Sequence, residues 1–406
     1  MTLRHIRQIL KNTDFIHTGG SAEELKVAEY LKSEAEAMGA KAWLEPFPVQ
    51  MADVKEAKLI VDGREIPCKG YKNCGSGTVE APLVYIPAQD YITLKAVRGK
   101  IVLIDGGLRH FGYHDMLEAG AVGFITYDGN LNFPNRDIDA KELRSFVADG
   151  KKTLAVNINA KDAQKIVLSR TKTAKITVEE DEYEGESRNV VAEIPGTSDE
   201  WIVLSAHYDT VPLSRGAYDN MSGCIGLLET MDKLRSGAPH HYGLRFVFCG
   251  SEERGLLGSK AYTAAHDEEL KNVVLNVNVD MIGVPMGRFV ACVSAEETMV
   301  GFIKYFAGAR GWSVNAYTGV YSSDSTPFAD HGVPALSFAR GTPGGQGNIH
   351  CRYDTMDLLS DEQLREDGDF IADFTRFMAD AVVCPVKREI PDKIKDDLDK
   401  YLNRKR

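Results

Sequence analysis

One stretch, Trp201 to Gly258, limits what this chain can fold into more than any other. It holds two short apolar runs, Trp201 to Leu204 and Leu244 to Cys249. Each leads into side chains that carry chemistry: His207 and Asp209 after the first, Ser251, Glu252 and Glu253 after the second. Runs this short and this apolar read as strands buried on both faces, as in a parallel sheet covered by helices. The ligand crevice of such a sheet lies beyond the carboxyl ends of its strands, where both clusters fall. Between them Asp219, with Asn220, Ser222 and Gly223, precedes an apolar helical run from Cys224 to Leu234. Alone, Asp219 reads equally well as a helix cap and Glu252-Glu253 as a charged turn. Adjacent side chains point in different directions, so one glutamate of the pair can bind a cation while the other faces a reacting water.

The rest of the chain frames this stretch. Leu3 to Met38 reads as helical, with Ser21 and Glu24 as a capping box and Leu25, Ala28, Leu31 and Ala35 at helical spacing. Gly39 ends it, and Lys41 to Val49 follows as a strand. From Met51 to Lys175 the texture changes to short strands and turns, in AKLIVDG, APLVYIP, GKIVLIDGG, GAVGFITYDG and TLAVNINA, which predicts a β-rich module with a helix or two. The acidic run Glu179 to Glu186 reads as a solvated connector. Strands at Asn189–Ile194, Ile202–Ala206, Leu244–Cys249, Val273–Asp280 and Ala335–Phe338 then alternate with helices over Gly258–Ala265, Thr298–Ala309 and Ser360–Val383. That alternation predicts an α/β fold, a doubly wound, mostly parallel sheet flanked by helices. The β-rich module, residues 51–182, is then an insertion into a domain made of residues 1–50 and 183–406.

Composition bounds the partners. A length of 406 residues allows two domains, and a net charge of −11 argues against a nucleic-acid surface. No run of about eighteen apolar residues is present, so no membrane span is expected. The amino-terminal residues lack the apolar core of a secretory signal. Seven cysteines without CxxC pairs fit reduced thiols, and a cytoplasmic protein is expected. The tail from Lys387 to Arg406 carries Ile394, Leu398 and Tyr401 at helical spacing, a face for its own core or for a partner. That tail and the inserted module are the candidate contacts of a homo-oligomer.

Two more residues extend the constellation. Asp280 closes the strand VVLNVNVD, and His350 lies in the glycine-rich loop RGTPGGQGNIHCRYDTMD, whose glycines permit close backbone approach. His207, Asp219, Glu253, Asp280 and His350 supply imidazoles and carboxylates, the ligands that suit zinc or a related divalent cation such as cobalt or manganese. The other eight of the ten histidines carry no such context.

The segments HYDTVPLSRGAYDNMSG, CGSEERGLLGS and NVDMIG, and His350 followed by Asp354-Thr355, resemble the co-catalytic zinc aminopeptidases, a family that includes bacterial leucyl-type aminopeptidases, glutamate carboxypeptidase and the glutaminyl cyclases. The resemblance covers about two thirds of the chain. In the insertion, RGKIVLIDGG and FGYHDMLEAGAVGFITYD resemble a protease-associated (PA) domain. The first resemblance implies a zinc exopeptidase-like fold holding two zinc ions. Asp219 bridges them, His207 and Asp280 complete one site, and Glu253 and His350 complete the other. It makes Asp209 the carboxylate that orients His207, and Glu252 the general base. The implied activity is hydrolysis of N-terminal residues from peptides. A carboxypeptidase or dipeptidase, a single-zinc glutaminyl-cyclase-like enzyme and a non-catalytic scaffold are the alternatives. A carboxypeptidase needs a cation for the substrate carboxylate, for which Arg310, Arg340 and Arg352 are candidates. The segment YSSDSTPFADHGVPAL departs from the family pattern SDHxPF in having Ser325 where a histidine is common. Tyr321 is the candidate donor to an oxyanion, and Cys351 stands where a threonine is often found.

Overall fold

The apolar run at Trp201 becomes the strand Trp201–His207, at the centre of a sheet and buried along almost its whole length. The computed structural model describes residues 1–406 other than Pro134, Thr171, Ala238 and Gly345. It forms two compact units, Met1–Val49 with Glu186–Lys405, and Gln50–Gly185 with Arg406.

In the first unit the strands lie in the order Asn315–Thr318, Arg288–Ser294, Ala335–Gly341, Val273–Val279, Trp201–His207, Gly243–Cys249 and the Val190–Ile194 end of Thr173–Ile194. The four central strands, Ala335–Gly341 through Gly243–Cys249, run parallel. Arg288–Ser294 and Val190–Ile194 pair antiparallel at the two sides. Residues of the helices Ser222–Leu234 and Asp361–Ala379 join the sheet's apolar side chains in one core. Two asparagines interrupt the apolar pattern of Val273–Val279, and hydrogen bonds absorb them: Asn276 donates to the Val203 carbonyl at 3.2 Å and Asn278 to Ser323 at 2.9 Å. The amide nitrogens of both are thus satisfied inside the sheet.

Several expectations need correction. The amino-terminal helical reading splits into Leu3–Asn12 and Ala22–Ala37, because Thr13 closes the first on the Ile9 carbonyl and Ser21 caps the second. The strand after Gly39 is longer, Lys41–Val61. The acidic run is largely exposed, as expected, but it is strand rather than loop. It lies within the strand Thr173–Ile194, and Glu180 is buried accepting from the Asn73 and Gly75 amides. Strands Arg288–Ser294 and Asn315–Thr318 and the short helix Ser325–Asp330 were not expected.

The second unit carries more helix than its turn-rich sequence suggests. Gly77–Tyr85, Ile101–Asp105, Gly123–Asp128 and Ala155–Asn159 form a parallel sheet, and the helices His110–Glu118 and Ala160–Leu168 contribute to the core at its faces. All seven cysteines of the chain are free thiols. No helix among the described residues is long and apolar enough to cross a membrane.

The tail folds as the helix Asp392–Tyr401 and buries Ile394 and Leu398 among Phe328, Val333 and Ile390. Its apolar face is thus already covered by its own chain. Leu398→Ala should cost about 2–5 kcal/mol of stability, read as a lower urea midpoint at unchanged slope. An unshifted midpoint would mean that the tail is not docked.

Candidate metal centre

The carboxyl ends of the parallel strands deliver the site. His207 is the last residue of its strand, Asp280 follows Val279, and Glu252 and Glu253 form a single helical turn just beyond Cys249. Asp219 sits in the turn Ala217–Met221 before the helix Ser222–Leu234, in extended rather than helical backbone. It does not cap that helix; the Gly223 amide of the first turn is taken by Asn220 Oδ1 at 2.9 Å. Its backbone is tied from outside: Asp354 accepts from the Tyr218 amide at 2.7 Å and from the Asp219 amide at 3.1 Å. The neighbouring Asn220 clasps the chain on either side of Asp280, donating to the Val279 carbonyl and accepting from the Met281 amide, both at 2.9 Å. A Cβ on Gly223 would come within 2.4 Å of both Asn220 and the Val279 carbonyl, so only glycine permits this approach.

These supports bring five expected ligands into two groups that share one residue. His207, Asp219 and Asp280 make the first, and Asp219, Glu253 and His350 the second, with the potential ligand atoms of each group within 4.8 Å of one another. His207 Nε2 lies 3.1 Å from Asp219 Oδ1 and 3.7 Å from Asp280 Oδ1. His350 Nε2 lies 3.1 Å from Asp219 Oδ2 and 3.0 Å from Glu253 Oε1. Ligands about 2.0–2.1 Å from a tetrahedral zinc stand roughly 3.3 Å apart, and these spacings bracket that value.

The electrostatics agree with the geometry. Asp280 Oδ1 is buried without a hydrogen-bond partner, and an unsatisfied buried carboxylate is costly unless a cation meets it. Burial pushes the Glu252 and Glu253 carboxyls up; the charge of Glu253 adds to it at Glu252, and that of Asp219 at Glu253. At Asp219 burial works the same way, but the hydrogen bonds from His207 and His350 outweigh it and hold that carboxyl low. Burial disfavours charge on both imidazoles, yet the carboxylates around His207 and around His350 raise them, His350 to about 11. Positive charge is therefore stabilised at two neighbouring points, one beside each histidine. The donor set fits two divalent cations bridged by Asp219.

The other expected residues fall as follows. Glu252 Oε2 is 4.0 Å from His207 Nε2, and its side chain is almost buried. Asp209 is fully buried, with Oδ1 3.6 Å from His207 Nδ1. Its closer partners are the Glu252 and Glu253 amides, at 2.8 and 3.2 Å, so it holds the glutamate turn more directly than the imidazole. At Tyr321 burial and then the charge of Asp280 push the hydroxyl well up. Ser325 is interior, hydrogen-bonded to Ser337 at 2.8 Å. Cys351 is half-buried rather than a packed core residue, its thiol donating to the Asn348 carbonyl. Of the glycines around His350, Gly345 lies outside the described residues. The roles of Asp354 and Asn220 were not read from the sequence, although both stand beside residues that were.

A model of peptidase family M28 matches residues 189–375, which include all five ligand candidates. That segment is similar to peptidase family M28. The chain is similar to aminopeptidase YwaD of Bacillus subtilis (strain 168), 32% identical over 179 residues, covering 42% of this chain and 39% of that protein. Leucine aminopeptidase 2 of Arthroderma otae is 30% identical over 247 residues, 52% of this chain and 46% of the relative. The chain thus spans less than half the length of these two curated relatives. Among solved structures, a zinc aminopeptidase from Bacillus subtilis superimposes with a TM-score of 0.78 at 24% identity, covering 97% of this chain and 98% of that one. An aminopeptidase from Aneurinibacillus sp. strain AM-1 gives 0.76 at 24% identity, over 95% and 96%. The fold is that of these aminopeptidase structures.

The shared carboxylate generates a test. Asp219→Asn should abolish tight binding of both cations, whereas Asp280→Asn and Glu253→Gln should each cost one. Metal content after dialysis, by atomic emission, reads the ratio, and two tightly held ions in Asp219→Asn would refute the bridge.

Proposed function

We propose that the chain is a metal-dependent exopeptidase of the aminopeptidase type, using two divalent cations, zinc foremost, and Glu252 as general base. The observation that carries this reading is the division of Asp219 between two ligand groups, with Glu252 beside one and Glu253 inside the other. His207, Asp219 and Asp280 would hold one cation and Asp219, Glu253 and His350 the other. Bound there, they would supply Lewis acidity and lower the pKa of a coordinated water.

The chain's own residues do the rest. Glu252 takes a proton from the attacking water as its oxygen bonds to the scissile carbonyl carbon. When the C–N bond breaks, the same carboxyl returns the proton to the leaving amine. Burial and neighbouring carboxylates raise Glu252, which suits a group that must both accept and donate a proton. Tyr321 would donate a hydrogen bond to the developing oxyanion, and Asp209 keeps the glutamate turn in register.

An amino-terminal substrate fits this centre better than a carboxyl-terminal one. Arg340 is taken up by the buried Asp367 and the Gly287 carbonyl. Arg310 lies over the Phe306 ring and pairs with Asp373, while Arg352 is exposed. The names of the relatives, aminopeptidases of bacteria and fungi, support the same choice.

The test is a panel of aminoacyl anilides, dipeptides, peptides ending in glutamate and an N-terminal glutamine peptide, with metal analysis of the same sample. The wild type should cleave aminoacyl substrates, and Glu252→Gln should lower kcat by about 10²–10⁴ with metal retained. Cyclisation of the glutamine peptide with a single zinc would overturn the peptidase in favour of a cyclase.

A further inference from the structure

Glu24 stands outside the M28 segment and at first sight is only the third residue of a helix, yet its carboxylate is fully buried. Oε2 accepts from the Gly20 amide at 2.8 Å. Oε1 accepts from the Ser187 hydroxyl at 2.7 Å and from the Ser251 amide at 3.1 Å. Ser251 immediately precedes Glu252, is buried, and is held at φ 54°, a left-handed conformation costly for a residue with a Cβ. The next two amides, of Glu252 and Glu253, go to the other buried carboxylate, Asp209. Three consecutive N–H groups of one turn are thus taken by two buried anions. The packing leaves little slack: a Cβ at Gly19 would lie 2.3 Å from Ser251 Oγ, and one at Gly250 would lie 2.8 Å from Glu24 Oε1.

We propose that Glu24 is a positioning residue: by fixing the Ser251 amide it sets the directions in which Glu252 and Glu253 leave the backbone, and so the registration of base and metal ligand. The proposal rests on the reading of these glutamates given above. Burying a carboxylate costs solvation. A capping role needs no such burial, because a capping-box glutamate can bond the start of its own helix from the surface. Only Gly20 is local here; the other donors, the Ser187 hydroxyl and the Ser251 amide and hydroxyl, come from segments far away in sequence.

Two variants test it. Glu24→Gln keeps the shape but turns an N–H towards one of the donors. Glu24→Asp keeps the charge but is one methylene too short to reach Ser251. Both should lower kcat and weaken the more loosely held cation about 10–100-fold, the usual scale for groups that orient metal ligands, with KM within about threefold of wild type. Cation affinity is read by competition with a chromogenic chelator and by the visible spectrum of the cobalt-substituted protein. Ser187→Ala, which removes a different Glu24 partner, should leave both quantities near wild type. Folded variants with wild-type kcat, affinity and cobalt spectrum would overturn the proposal. Failure of both variants to fold would also overturn it, since the carboxylate would then serve the fold as a whole. If the wild type binds cations but cleaves no peptide, the peptidase reading fails while the affinity measurement still decides the role of Glu24.

Discussion

The centre depends on one carboxylate being divided. Asp219 Oδ1 faces His207 and Oδ2 faces His350, and each imidazole is within reach of another acidic ligand. Four acidic side chains, with Glu252 among them, share a space of a few ångströms, an arrangement self-repulsive in low dielectric unless positive charge enters it. Two divalent cations are an economical answer to that repulsion. The surrounding structure exists largely to keep Asp219 at the meeting point of both groups. Asp354 holds its backbone from one direction, and Asn220 ties its turn to the strand end that bears Asp280.

The same division of labour governs the glutamate turn. Ser251, Leu256, Met281 and His350 all have positive φ, and each lies in or beside a segment that carries a ligand or the base. Such conformations cost on the order of 1–3 kcal/mol apiece and persist where neighbouring contacts over-determine them. Here those contacts are buried acceptors on peptide amides, Glu24 and Asp209 at the turn itself. His350 differs in kind: its side chain is 49% exposed, whereas that of His207 is 1% exposed, so one flank of the centre is the side open to solvent.

Much of the fold was legible because a parallel sheet buried on both faces demands strongly apolar strands: Trp201 to Leu204 is one, and Leu244 to Cys249 and Val273 to Val279 are interrupted only by Arg245 and by Asn276 and Asn278. The edge strands escaped notice for the opposite reason. Asn315–Thr318 is short and partly exposed, and its pairing with Arg288–Ser294 leaves no strong period in the sequence. The acidic run is solvated as its charge suggests, except at Glu180, which is buried where two amides meet it.

Local sequence by itself determined the order of strands and helices and the residues with ligand chemistry at the strand ends, because burial and side-chain type are written position by position. Tertiary structure decided which carboxylate is shared and which acidic residues hold backbone rather than cations. The sequence marks Asp209 as a partner of His207 and Glu24 as half of a capping box, but not the glutamate turn that both hold. What separates them from Glu253 and Asp280 is which donors lie within about 3 Å, and that distance is set by segments as far apart as Glu24 and Ser251 meeting in space.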